Sequence, residues 1–415
     1  MRMIQSLVGL FGLIFIAWLF SENKKGLSLK NILTGMALQF AVAALMLKVP
    51  FFSDLIMYLN HAVDALQQAT QAGTSFIFGY LGGGPLPFAE TSPGASWTLA
   101  FRALPLILVV SALSALLFYW RVIPVVVKGF SMALQRTMDI GGSLGLGVAS
   151  NIFVGMVEAP IIISPYVKNM SRSELMTLMI SGMATISGTV LVLYASILNP
   201  VLPGAVGHIL TASIISAPAA ILISRIMIPE SAKHQDADGL NIKSSASSSM
   251  DAVVKGTSDG VTLLINVVAM LLVLVALVAL TNQILAFLPD MYGEPLTLQR
   301  ILGIIMWPVV WLMGIPASEA YTASSLMGTK TILNEFLAYL QLAGLPDGAL
   351  SPRSTIIMTY AMCGFANLGS LGILIGGLVS IAPSRKDEIV ALGTKSVIGG
   401  TLATCMTGAV VGLLY

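Results

Sequence analysis

Apolar residues in this chain gather in long runs broken by Gly, Pro and short polar clusters, the pattern of helices that cross a bilayer. At about 20 apolar residues per crossing, eight spans are predicted, near residues 4–20, 31–48, 99–120, 173–199, 206–227, 258–288, 354–382 and 395–415. The first lacks a small-residue cleavage site and is followed by Lys24, Lys25 and Lys30, so it is expected to be a retained span with its N-terminus outside. That orientation puts 15 of the 21 Lys and Arg residues on the cytoplasmic side, as the positive-inside rule requires. Ser231 to Gly256 is polar and Ser-rich, and is expected to be a cytoplasmic linker.

Some apolar segments are too short or too interrupted to cross. Residues 301–313 make about 20 Å of helix against a hydrocarbon layer of about 30 Å, and they run into Gly314-Ile315-Pro316. Gly142 to Val154 runs in the same way into Gly155 and Glu158-Ala159-Pro160, with a second apolar helix to about Met170. Both are expected to be re-entrant hairpins. Each is followed by a span interrupted by polar and small residues, Thr185-Ile186-Ser187-Gly188 in one case and Gly364 to Gly369 in the other. The charge bias has the first hairpin enter from inside and the second from outside. The fold predicted is therefore an all-α polytopic membrane protein with eight transmembrane helices, two re-entrant hairpins and an inverted repeat of broken helices, the architecture of secondary transporters. Its parts are N-terminal spans with an interfacial helix as scaffold (1–140), repeat one (141–230), the linker (231–257), a long sixth span (258–295) and repeat two (296–415).

Composition narrows the function. Of the 415 residues 10% are charged, whereas soluble domains carry roughly 25%, which excludes a soluble enzyme. The formal net charge of +2 provides no phosphate-gathering surface, so nucleic acid is not an expected partner. Cys363 and Cys405 lie in apolar segments, and His61, His208 and His234 are far apart, so neither a disulfide framework nor a zinc site is indicated. An adjacent nucleophile and base is also absent, which leaves a membrane enzyme without a mechanism.

Polar groups at the breaks carry the expected chemistry, because non-helical backbone at membrane depth is tolerated only beside a watery cavity or a ligand. Glu158 and Glu319 stand near the two hairpin tips, where a carboxylate in lipid costs on the order of 2.5–3.5 kcal/mol. With Asn367 they suit a neutral ligand bearing several hydroxyls. Asn151, Thr185, Ser187 and the carbonyls near Val154 and Ile186 form an oxygen-only cluster suited to a hard monovalent cation.

The stretch Asn151-Ile152-Phe153-Val154-Gly155-x-x-Glu158-Ala159-Pro160, together with Gly328-x-Lys330-x-x-x-Asn334-Glu335-Phe336-x-Ala338-Tyr339 and Cys363-Gly364-Phe365-Ala366-Asn367-Leu368, resembles the concentrative nucleoside transporters over essentially the whole chain. The resemblance implies a homotrimer with an elevator-like movement of the substrate-carrying part. It implies ribose held by Glu319, Asn367 and Ser370, and a base held at the first hairpin by Met156, Val157 and Glu158 with Phe365 beside it. Sodium maps onto Asn151, the Val154 carbonyl, the Thr185 hydroxyl and carbonyl, and the Ile186 carbonyl. Met156-Val157 stands where many members have Gln-Thr, which alters the base half of the site and leaves purine against pyrimidine open. Thr185 in place of the usual Ser keeps the hydroxyl but adds a methyl, so sodium and proton coupling, the latter through Glu158 or Glu335, both remain. The expected protein is a cation-coupled nucleoside importer of a bacterial-type inner membrane; a carrier of another polyhydroxylated solute is the alternative.

Overall fold

The computed structural model describes residues 2–91, 95–156, 158–230, 244–290 and 295–415, and among them every regular element is helical. The first half comprises α1 (Arg2–Leu19), α2 (Leu29–Lys48), α3 (Pro50–Phe78), α4 (Leu106–Tyr119), α5 (Val122–Met138), α6 (Gly142–Phe153), α7 (Glu158–Ile162), α8 (Ser164–Val167), α9 (Arg172–Ala184), α10 (Gly188–Leu198) and α11 (Ala205–Met227). The second comprises α12 (Ser249–Leu285), α13 (Leu298–Leu312), α14 (Ala317–Ile332), α15 (Glu335–Ala343), α16 (Pro352–Met362), α17 (Leu368–Ile381) and α18 (Lys386–Leu414). Among the described residues six segments are long and apolar enough to cross a membrane: Leu29–Lys48, Leu99–Tyr119, Arg172–Leu198, Ala205–Met227, Ser249–Leu285 and Pro383–Leu414. Of the other two predicted spans, one is α1, with a shorter apolar stretch, and the other is α16 and α17, divided between Met362 and Leu368.

Local chemistry sets several boundaries. Ser171 and Glu174 form a reciprocal capping box at the start of α9, with the Ser171 side chain accepting from Glu174 N at 3.1 Å and the Glu174 carboxylate accepting from Ser171 N at 2.8 Å. Ser248 accepts from Asp251 N at 3.1 Å, and Lys255 Nζ reaches Asp251 at 2.9 Å one turn on. Those contacts start α12 at Ser249, inside the stretch expected to be linker; residues 231–243 of that linker lie outside the described residues. The 29-residue helix α3 was not predicted as a span, and it is not among the six apolar segments.

The order of elements from α4 to α11 recurs from α12 to α18. In each copy a long span is followed by a helix packed on its successor (α5 on α6, α13 on α14), then by a short return, a divided helix and a helix buried along most of its length. The copies interlock: α4 packs on α12, α10 on α15, and α17 on α7. By this order the counterpart of α6, tip and α7 is α14, Leu333-Asn334 and α15, whereas the hairpin was expected at residues 301–313 and the Gly314-Ile315-Pro316 turn. Helices α13 and α14 do form an antiparallel pair, with Gly303 facing Ser324 and Ser325 and Gly328 facing Gln299. Their turn, however, lies at one end of the bundle. Ser6 Oγ donates to Met313 O at 3.0 Å, Arg353 donates to the Gly314 carbonyl at 2.7 Å, and the same guanidinium reaches Gly412 near the end of α18.

Helices α1 and α2 pack on α11 and α18 rather than on α4 or α12. The loop between them is tied down by charge. Glu22 accepts from Arg172 Nη2 at 2.8 Å and from Lys395 Nζ at 2.7 Å, joining this loop to the starts of α9 and α18. Those two bonds, that from Arg172 the stronger, outweigh partial burial and hold the Glu22 carboxyl at about 2.

Candidate functional site

The two divided helices cross at their breaks. Phe365 N donates to the Thr185 carbonyl at 3.3 Å, so the backbone of one break is bonded to the backbone of the other. Gly364 permits the approach, since a Cβ there would meet the Met183 carbonyl oxygen at 2.8 Å. A broken helix leaves acceptors at its first half and donors at its second, and here four such half-helix ends converge.

On one side of the crossing the polar groups come from both repeats. Asn367 caps α17, its Oδ1 accepting from Ser370 N at 2.7 Å, while its Nδ2 donates to Glu335 Oε2 at 2.8 Å. Tyr194 of α10 donates to Glu335 Oε1 at 2.6 Å. Glu335 opens α15, whose N-terminal dipole favours a carboxylate, and Asn334 caps that helix by accepting from Leu337 N at 2.9 Å. Glu335 and Asn367 are 3% and 1% exposed, and Ser370 lies beside them in the first turn of α17. Phe365 is half-buried at the break itself.

Glu319 does not join this group. It stands in the first turn of α14, a 16-residue helix about 24 Å long at 1.5 Å per residue, whereas Glu335 lies beyond the other end. Its carboxylate accepts from Ser351 N at 3.1 Å and from Ser351 Oγ at 3.0 Å, at the cap of α16.

On the other side, the tip after α6 packs into the first break. Gly155 adopts φ 129°, open to glycine alone, and a Cβ there would lie 2.7 Å from a Glu158 carboxylate oxygen and 2.9 Å from Ser187 Cβ. Glu158 is exposed to a cavity of about 670 Å3 between this tip and the α4–α12 pair, lined also by Ser111, Phe118, Val154, Thr189 and Lys255. That volume is within the range of ligand clefts. A cavity-facing carboxylate avoids the lipid cost weighed above. Met156 is buried with its Cβ against Gly182, and Val157 lies outside the described residues.

Asn151, 1% exposed near the end of α6, has no hydrogen-bond partner for either amide atom among the described residues. A buried unpaired amide is costly, about 1–3 kcal/mol, and an acceptor left in that state is what a bare cation would satisfy. Thr185 Oγ1 donates to the Ser181 carbonyl at 2.9 Å, with the Asn151 carbonyl also within 3.3 Å, and Ile186 N donates to Ser213 Oγ at 3.4 Å. A carbonyl has two lone pairs, so the Thr185 oxygen that accepts from Phe365 keeps one. The donor set is all oxygen and fits sodium. No cluster of His, Cys, Asp and Glu suited to a multivalent metal occurs among the described residues.

Sequence reasoning placed Asn367, Ser370 and Asn151 at the crossing but missed Tyr194, which carries no local signal. It also assigned no role to Lys330. The signal there was a lone Lys in a helix otherwise free of basic residues.

Comparisons with known proteins agree with this geometry. Family models described as the Na+ dependent nucleoside transporter N-terminus and C-terminus match residues 8–81 and 208–412, and one described as nucleoside recognition (Gate) matches 100–201. The nucleoside permease NupC of Helicobacter pylori is 36% identical over 98% of this chain and 97% of its own length. Human solute carrier family 28 member 3 is 32% identical over 99% of this chain, which spans 60% of that protein. The inward-facing, substrate-bound structure of CNTnw superposes with a TM-score of 0.89 at 33% identity, over 100% of this chain and 98% of that one. A helical, multi-pass protein with crossed helix breaks, matched along its whole length by such relatives, is a member of the sodium-dependent, concentrative nucleoside transporter family.

Proposed function

We propose that this chain imports nucleosides across a cell inner membrane by symport with sodium, as a homotrimer of eight-span protomers with re-entrant hairpins at α6–α7 and α14–α15. The repeats with α1 and α2 form the moving part of an elevator, and α4 and α12 form its frame. The single observation carrying the substrate reading is the Asn367–Glu335 pair at the crossing. Each group keeps capacity for hydroxyls: a carboxylate has about four lone-pair sites, of which Glu335 uses two for side chains and one for its own backbone N–H. Ribose is therefore assigned to Glu335, Asn367 and Ser370, replacing Glu319. The base faces the α6–α7 tip, where Met156, Val157 and Glu158 and the neighbouring Phe365 set the preference. Sodium sits among Asn151 and the Val154, Thr185 and Ile186 oxygens, and its charge there favours closure of the tip on substrate.

Uptake of labelled nucleosides into proteoliposomes, with and without a sodium gradient, tests this. Glu335→Gln is expected to reduce uptake of every nucleoside at least about tenfold, the worth of one charged hydrogen bond, while Glu319→Gln, if folded, retains most of it. The reverse ranking would sink the site. Uptake that follows pH and ignores sodium would move the coupling to Glu335 or Glu158.

A further inference from the structure

Lys330 is fully buried, and its ammonium donates to the Ala361 carbonyl at 3.1 Å and to Thr404 Oγ1 at 3.2 Å. Both acceptors are uncharged. The repeat gives this residue a counterpart. Lys330 is the third residue from the end of α14, and Asn151 is the third from the end of α6, the matching helix of repeat one. Ala361 lies in the last turn of α16, and Thr185 caps the end of α9, again matching elements. Thr404 is supplied by α18, as Ser213 is supplied to the first break by α11.

The end of a helix gathers about half a negative charge on its unpaired carbonyls. At two symmetry-related half-helix ends, each facing the other break, one such charge would be left in each repeat. Asn151 brings no charge of its own, so its end calls for a cation from solution. Lys330 brings a cation on a tether.

We infer that the Lys330 ammonium occupies the second repeat's equivalent of the sodium site, so that the protein carries one built-in cation and takes up one sodium per cycle. This rests on the assignment of sodium to Asn151. The fixed charge holds α14, the end of α16 and α18 together in every state of the transport cycle. The sodium does the same for α6 and α9 only when bound, which leaves repeat one free to open and repeat two shut.

Lys330→Thr removes the charge, leaves room and supplies a hydroxyl, so the second site should become a sodium site. The test measures the melting temperature of purified transporter without nucleoside against sodium, with choline keeping ionic strength constant, alongside the sodium activation of uptake. Stability gained per tenfold rise in sodium scales with the number of ions bound. The slope in Lys330→Thr is therefore expected to be about twice that of the wild type, and the Hill coefficient for sodium to rise from about 1 towards 2. A folded Lys330→Thr with the wild-type slope and Hill coefficient would overturn the inference. Lys330→Gln, similar in length but neutral, should be less stable at every sodium concentration with an unchanged slope, and Lys330→Arg should restore stability. Lys330→Gln as stable as the wild type would show that no charge is needed there and would overturn the inference even if Lys330→Thr does not fold. Failure of the underlying sodium assignment reads out separately, as an Asn151→Ala variant with an unaltered sodium slope.

Discussion

One amide at Asn367 serves two purposes, and they separate by substitution. Its oxygen caps α17 and its nitrogen meets Glu335. Serine keeps the cap, at a cost of a few tenths of a kcal/mol, but loses the donor. Asn367→Ser is therefore expected to melt within a few degrees of the wild type yet transport roughly tenfold less or worse, since hydrogen bonds to charged groups are worth about 1.5–3 kcal/mol. Melting and uptake measured on the same preparation check it; a large drop in melting temperature with normal uptake would mean that the amide is only a cap. At this scale the sequence was half legible. Asn367 stood out because it interrupts an apolar span. Glu335 was harder to place, because the tip before it, Leu333-Asn334, has neither Gly nor Pro, and its helix start is signalled only by the Asn334 cap. Gly314-Ile315-Pro316 is a conspicuous turn and drew the hairpin, and Glu319 with it, to the end of the bundle.

Elements are held in place as much by what fixes their ends as by apolar packing. The Glu22 carboxylate ties the α1–α2 loop to α9 and α18, and its lowered value gives a signed prediction. A group held near 2 when folded against 4.5 contributes stability that is fully present above about pH 4.5 and is lost as pH falls towards 2. Glu22→Gln is expected to lower stability by about 1 kcal/mol at neutral pH, a modest figure for a partly exposed cluster. The gap from the wild type should narrow between about pH 4.5 and 2, and thermal unfolding in detergent at several pH values measures it. A gap that widens in acid would contradict the assignment. The six segments found long and apolar enough to cross were each legible as apolar runs, because sustained hydropathy leaves a plain trace whether the helix is buried or exposed. Helix α3 left none, since it is apolar on part of its surface only.

For the whole molecule, α12 is the clearest ruler. Its 37 residues span about 55 Å, well beyond a hydrocarbon layer of about 30 Å, and its charged residues Asp251, Lys255 and Asp259 all fall in the first third. Its two ends must therefore face opposite solutions. Single cysteines at Ser247 and Asp290 are expected to react with impermeant reagents from the cytoplasm and from outside respectively; reaction of both from one side would undo the inverted arrangement of the repeats. Most of α12 is exposed apolar surface, whereas 83% of the apolar window that ends in α18 is buried. Helix α18 packs on α1, α2, α9, α11, α16 and α17, every one of them synthesised before it. During translation those helices enter the membrane with their mutual wedge missing, and the contacts of Gly364 and Lys330 with Thr404 cannot form until α18 has been made. Biogenesis thus holds a vulnerable interval in which the helices that precede α18 are still an open set, the stage at which membrane chaperones and quality-control proteases would meet them.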